Sequence, residues 1–462
     1  MHRLLFSLLL VFLPAQLAYH TWPDWSMVLG RRVDYLSPTL YLTDILIVLL
    51  IVSWAIESRK SIKELVSSIK EKKRRYQRIF SIIRNTRYLI LVLLLVAVNI
   101  LIATSKPVAI SAWLKIIEFG LLGWYIVRTK PRFSRIVLPL SFGVLYSSLL
   151  AIVQFVLQHS VGGLMWWLGE RTFNSITPGI ARIALNWSSG FIHLDYGLML
   201  RPYATFPHPN VLGGFLAVTL PLLLYEVSRP ILQSDQYSNP TNTPIRHIQN
   251  IEGKMNMIRP WLVRSSLLLG SVALVLSFSR SALASFLGII IWYFVLRNKR
   301  TLKNIILSML TTGVALFLMR QTVSWESESV VIRQHLNTAA ITLWRESPLF
   351  GIGLGNFLVR LPDVLTSRTI TFLQPVHNIY LLFMAEAGIA GVALFAYFVL
   401  RTVMQRKRKR IHVGRLPPPV LAYRLSLLVI LILGLIDHYP LTLQQGQLLL
   451  TILLAVNIAP LF

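Results

Sequence analysis

"FLQPVHNIYLLFMAEAGI" (residues 372–389) puts a Pro, a His and an Asn at the lip of an apolar run. The run continues to about residue 400 with Glu386 as its only charged residue. A segment of this length and polarity crosses a bilayer as an α-helix, since a helix satisfies its own backbone groups where no water can. Similar runs recur from end to end of the 462 residues. The composition agrees: 55% of residues are hydrophobic and 14% charged, against about a quarter charged in a soluble domain, and mean hydropathy is +0.62. The expectation is an all-α polytopic membrane protein forming one integral membrane domain over 1–462.

About 12 transmembrane helices are expected, near 4–19, 39–57, 88–105, 108–127, 136–157, 208–228, 263–279, 281–297, 303–319, 378–400, 418–436 and 441–458. The first run also has the pattern of a signal peptide and is read as a retained span. Residues 59–87 hold eleven Lys/Arg against two Glu. "RNKRTLK" (297–303) and "RTVMQRKRKRIHVGR" (401–415) repeat that bias. Basic clusters beside spans mark cytoplasmic connections. On this count 58–87, 128–135, 297–303 and 401–415 all fall on one side, with both termini. The net charge of +28 therefore points to membrane lipids, with nucleic acid not expected. A further cytoplasmic loop is expected at 229–262, rich in Ser, Asn, Thr and Pro.

The opposite, outer (periplasmic-side) face receives two long loops, 158–207 and 320–377. The large loop 320–377, between spans 9 and 10, contains five Arg and no Lys. Within it "VIRQHLNTAAITLWRE" (331–346) puts Val331, Ile332, Leu336, Ala339 and Leu343 near one face. That pattern predicts an amphipathic helix at or over the membrane surface. "GIGLGN" (351–356) lacks GxGxxG spacing and a preceding strand, so its glycines are read as turn formers rather than a nucleotide loop. Without cysteine, disulfide and thiolate chemistry are excluded. No HExxH, EF-hand loop or Cys/His cluster occurs, so neither metal nor cofactor is expected.

Four candidates for chemistry come from separate stretches. "LRPYATFPHPNVLGG" (200–214) carries Arg201, His208 and Asn210, and "LSFSRSALASF" (276–286) carries Arg280 between two spans. His377 and Asn378 precede span 10, and "GLIDHYPLTLQQGQ" (434–447) supplies Asp437 and His438. A lone Arg or His at a helix end is ordinarily an interfacial anchor or cap. Here the span count brings Arg201, Arg280, His377 and Asp437 to one outer boundary. Arginine offers paired donors to phosphate oxygens. A neutral imidazole takes a proton, and a carboxylate can orient it. Lys115 and Glu118, in "WLKIIEFG", are read as a neutralising (i, i+3) pair.

The stretches "RPYATFPHPNVLGG", "FSRSA", "SPLFGIGLGNF" and "HNIYLLFMAEAGIAG", in this order, resemble the O-antigen ligase superfamily, most strongly over 200–447. The resemblance implies about a dozen helices with a large periplasmic loop in the bacterial cytoplasmic (inner) membrane. It implies a metal-independent, inverting glycosyltransferase of cell-surface polysaccharide biosynthesis with an outward-facing active site. The donor would be a glycan on undecaprenyl diphosphate. The acceptor would be lipid A–core of lipopolysaccharide in a ligase, or another carrier-linked glycan in an O-antigen or capsular polymerase. Arg201 and Arg280 match the family's diphosphate-binding arginines and His377 its proposed catalytic histidine. Asp437 stands as the orienting partner. His208, Asn210, Arg333, Arg345, Asn378 and His438 are further substrate-binding candidates. The rival from another class is a transporter or flippase of lipid-linked or anionic solutes. No oligomeric state is indicated beyond a default monomer.

Overall fold

The computed structural model describes residues 1–68, 90–189, 192–228, 246–297, 328–365, 373–403 and 418–458. The expected span 303–319 and the basic segments 69–87 and 404–415 lie outside the described residues. The protein is mostly helical, with three short antiparallel strand pairs. Among the described residues five helices are long and apolar enough to cross a membrane, so the chain is a multi-pass membrane protein. In chain order the helices are α1 (His2–Val11), α2 (Leu42–Ser68), α3 (Ile90–Ile102), α4 (Lys106–Thr129), α5 (Phe133–Leu157), α6 (Pro209–Val227), α7 (Arg246–Leu276) and α8 (Arg280–Arg297). There follow α9 (Glu328–Glu346), α10 (Phe357–Val364), α11 (Ile379–Val403), α12 (Pro418–Leu433), α13 (Tyr439–Thr442) and α14 (Gln444–Ile458).

Local chemistry sets many of these bounds. Pro107 and Pro209 stand in the first turns of α4 and α6, where no amide partner is lost. Lys130 and Gln158 end α4 and α5 in the left-handed conformation. Helix α7 begins well ahead of the expected residue 263, and α1 ends at Val11 rather than 19, before Pro14. Helix α6 is the centre of the bundle: 78% of its apolar window is buried, against 28% in α4. Most residues from Val211 to Tyr225 are enclosed. Helix α1 also belongs to the core through Phe6, Leu9 and Leu10, with Leu13 just beyond its end.

Among the described residues of 158–207 there is one short 3-10 helix, Gly163–Leu168, and no α-helix. The stretch holds β5 (Arg182–Ser189) and β6 (Ile192–Leu200), paired antiparallel, with Arg182 opposite Leu200. Two smaller pairs join β1 (Ala18–His20) to β4 (Thr39–Tyr41), and β2 (Met27–Val28) to β3 (Arg31–Arg32).

Helix α9 forms where the amphipathic pattern predicts it. It buries Leu336, Ala339, Ala340 and Leu343 against Phe357, Leu358, Leu361, Val376 and Leu382. Val331, expected on that face, is 43% exposed.

Helix α11 is broken at Gly388, whose φ is 64° and ψ −171°. A break frees amides and carbonyls that an apolar surrounding cannot satisfy. The stretch 347–357 supplies the missing partners. Ile352 N and Gly353 N donate to the carbonyls of Ala385 (3.0 Å) and Glu386 (3.1 Å), while Ile389 N and Ala390 N donate to those of Pro348 (2.9 Å) and Leu349 (3.0 Å). The glycines of "GIGLGN" do form turns, all at positive φ. A Cβ on Gly351 would fall 2.3 Å from Glu386 C, and one on Gly388 2.4 Å from Leu349 C. From α3, the buried Asn99 donates to the carbonyls of Phe350 (2.8 Å) and Glu386 (2.9 Å). Its Oδ1 accepts from Trp113 Nε1 and Leu354 N. The Glu386 carboxylate accepts from Phe357 N at 3.1 Å. Helices α9 and α10 are thereby fixed to the broken span.

Candidate active site

His377 sits two residues before Ile379, the first residue of α11. Val376 before it is fully enclosed. Asn378 after it caps the helix, its Oδ1 accepting from Tyr380 N (2.9 Å) and Leu381 N (3.1 Å). The imidazole is thus held between an apolar anchor and a cap, and Asn378 has a structural task beside its candidate role.

The turn from α12 to α13 brings Asp437 and His438 to it. The His377 and His438 rings meet edge to face, with centroids 5.0 Å apart. Ligand-type atoms of His377, Asp437 and His438 all lie within 4.8 Å of one another. Asp437 Oδ1 accepts from His438 N at 2.8 Å, and His438 Nδ1 lies 2.6 Å from Thr442 Oγ1. Tyr35 packs edge-on against His438 with centroids 5.4 Å apart. His377 Nδ1 is buried and has no hydrogen-bond partner among the described residues. Asp437 therefore makes no hydrogen bond to His377 Nδ1 and acts on the imidazole through its charge.

Burial, helped by His438 and Arg333 and opposed by Asp437, lowers the His377 pKa to about 4. Burial and Arg333 lower His438 to about 3, and burial and Arg201 lower His208 to about 4. All three imidazoles are neutral near pH 7, the form that accepts a proton. Two neutral imidazoles and a carboxylate are also a donor set that a divalent cation would accept.

Arg201 follows β6 and is tied down on one side. Its Nε and Nη2 donate to the Ser277 carbonyl (2.9 and 2.8 Å), and Nη2 also donates to Asn210 Oδ1 (2.8 Å). Nη1 has no partner among the described residues. His208 Nδ1 accepts from Asn210 N at 3.1 Å, so Asn210 links the arginine to the N-cap of α6. Burial lowers the Arg201 pKa to about 10, with the nearby Arg280 adding repulsion; it stays charged at neutral pH. Arg280 opens α8, next to the loop that binds Arg201. Arg333, on the first turns of α9, donates Nη1 to the Ile436 carbonyl at 3.0 Å.

Arg201, His208, Asn210, Arg333, His377, Asp437 and His438 line one cavity of about 2600 Å³. Arg345 is exposed in the last turn of α9 and does not line it, and neither does Arg280. Sequence reasoning missed Arg171, Tyr35, Tyr41 and Asp44, which do. It paired Lys115 with Glu118, and that contact exists at 3.3 Å. Asp44 of α2 is closer, at 2.6 Å. Below these groups the cavity continues as an apolar furrow between α2, α4 and α14, past Val48, Val52, Ile117, Leu121, Leu450 and Leu454.

Comparisons with curated proteins and with solved structures found no match. A family model described as O-Antigen ligase matches residues 265–396, which span Arg280, Arg333, Arg345, His377 and Asn378. The match contains "FSRSA", "SPLFGIGLGNF" and "HNIYLLFMAEAGIAG", three of the stretches that carry the resemblance, and so supports the likeness of this region to the O-antigen ligase superfamily.

Proposed function

We propose that the protein transfers a glycan from an undecaprenyl diphosphate carrier to an acceptor hydroxyl at the outer face of the cytoplasmic membrane. The observation that carries this reading is the shared cavity. A neutral imidazole and arginine guanidinium groups meet at its polar end, and an apolar furrow leads away from them. That layout suits a donor with a diphosphate at one end and a long hydrocarbon at the other.

In this mechanism Arg201, with Arg333 across the cavity, holds the diphosphate and stabilises the charge that grows as it leaves, and Arg280, outside the lining, adds positive charge from nearby. The free Nη1 of Arg201 is the donor available for that contact. His377 takes the proton from the acceptor hydroxyl while its oxygen attacks the anomeric carbon. A new glycosidic C–O bond forms, the bond to the diphosphate breaks, and the anomeric configuration inverts. Asp437 favours the resulting imidazolium electrostatically. His438 buttresses the imidazole edge to face. Helix α9 carries Arg333 as part of a fixed wall, held by the contacts of 347–357 with α11.

Ligase and polymerase would share this chemistry and differ in the acceptor admitted. One feature favours the transporter reading, the broken helix α11. Its freed backbone groups are, however, bonded to 348–353 and leave little for a solute. The deciding test incubates purified protein with undecaprenyl diphosphate glycan and either lipid A–core or a second carrier-linked glycan, then analyses the products. A new glycosidic linkage to one acceptor supports the reading. Movement of the intact donor across a vesicle membrane without linkage supports the rival.

A further inference from the structure

A second pocket of about 710 Å³ lies apart from the site described above. Its walls come from α1, α2, the end of α4 and the start of α5. Along α2, the thirteen residues from Asp44 at the main cavity to Glu57 at this pocket correspond to about 20 Å of helix. The pocket is therefore far from the His377 end.

Its chemistry is cationic and aromatic. Arg3 and Arg135 both line it, and neither has a carboxylate partner among the described residues. Glu57 is the one acid in the lining, and it lies 3.5 Å from His2 Nε2. The other nitrogen of His2 is 2.9 Å from Tyr125 Oη. The Thr129 hydroxyl donates to the Tyr125 carbonyl and can still accept. Beside the pocket Trp54 packs on Trp124 (centroids 4.8 Å) and on Tyr125 (5.5 Å), with Arg128 over Trp124 at 6.0 Å. Trp and Tyr gather in this way at the headgroup level of a bilayer. Leu4, 64% exposed, extends the lining with apolar surface.

Two guanidinium groups around a cavity suit a phosphate oxyanion. An aromatic belt and an exposed leucine suit an acyl chain attached to that phosphate. We propose that this pocket holds the phosphodiester headgroup of an anionic phospholipid, between Arg3 and Arg135. A basic pocket between spanning helices is a recurrent way to hold such lipids. The occupant ties α1 to α4 and α5 and is independent of glycan transfer.

The test uses the full chain in nanodiscs of phosphatidylglycerol and phosphatidylcholine, with bound lipid counted by native mass spectrometry after extraction. Wild type should retain phosphatidylglycerol in preference to phosphatidylcholine. Arg3→Gln/Arg135→Gln should lose that preference by at least about tenfold, as expected for lost charge-assisted contacts. Arg3→Lys/Arg135→Lys keeps the charge, guards against misfolding, and should retain most of it. Equal phosphatidylglycerol retention by wild type and the double Gln variant would overturn the proposal. So would displacement of the lipid by millimolar inorganic phosphate, which would make the site one for free phosphate.

Discussion

Replacing Gly388 by Ala tests the joint between the stretch 347–357 and the broken span. At φ 64° and ψ −171° the residue occupies backbone space open almost only to glycine, and a side chain there costs roughly 1–3 kcal/mol. The added Cβ would also meet Leu349 C and O at 2.4 Å, an overlap worth about 1–3 kcal/mol more if the chain stays in place. The alternative is for α11 to straighten and expel 348–353, losing four main-chain hydrogen bonds of roughly 0.5–1.5 kcal/mol each. Either route costs several kcal/mol locally, while the α6-centred core is untouched. In hydrogen exchange, amides 352, 353, 389 and 390 should lose protection in Gly388→Ala while α6 keeps its own. Transfer should fall, because α9 carries Arg333. Gly288→Ala is the control, since a Cβ there meets nothing within 4 Å. Wild-type protection at those four amides in Gly388→Ala would refute the reasoning.

Acid should weaken the fold before it alters the base. With native pKa values lowered to about 4, 4 and 3 for His377, His208 and His438, the unfolded chain binds protons first, so stability is level above pH 6.5 and falls as pH drops from 6.5 towards 4. The single-turnover rate should correspondingly stay flat from pH 8 down to about 5; a rate that follows a group titrating near 6.5 to 7 would contradict this environment for His377. Chelator should leave transfer unchanged. Loss on chelation with recovery on adding a divalent cation would assign the charge stabilisation to a metal at His377, Asp437 and His438. Lys115→Met leaves the buried Asp44 and its neighbour Glu118 without their cation and should destabilise by about 3–5 kcal/mol, read as a lowered thermal midpoint in detergent. Lys115→Met/Asp44→Asn should recover part of that loss, and no recovery would deny the pair its role.

Features set by local pattern were legible in the sequence. Prolines marked the starts of α4 and α6, and the spacing of Leu336, Ala339 and Leu343 identified the buried face of α9. Counting spans put Arg201, Arg280, His377 and Asp437 at one boundary, and three of these, Arg201, His377 and Asp437, line one cavity while Arg280 does not. What escaped depends on contacts between distant residues. Asp44 is 71 residues from Lys115, and nothing in "LTDIL" points to it. Asn99 lies in the apolar run "VAVNILIA", where a single amide gives no sign that it will bind Phe350, Leu354 and Glu386. The glycines of "GIGLGN" read correctly as turns, but the partner that requires them is a break in α11 that "MAEAGIAG" does not advertise. The hairpin of β5 and β6 left only a partial signal, since "IHLDY" alternates in polarity but "RIALNWSS" does not. That signal was overlooked beside the long helical runs.

The central claim is that His377 acts as the base, and single-turnover transfer by His377→Ala tests it most directly. Donor affinity is measured in parallel in the same nanodiscs. Arg201 and Arg333 are untouched by the change, so the account predicts donor binding near wild type. Turnover should drop about 100- to 10,000-fold, the range for loss of a general base. Transfer by His377→Ala at the wild-type rate, with donor bound normally, would contradict the account and leave the imidazole as an interfacial residue at the end of α11.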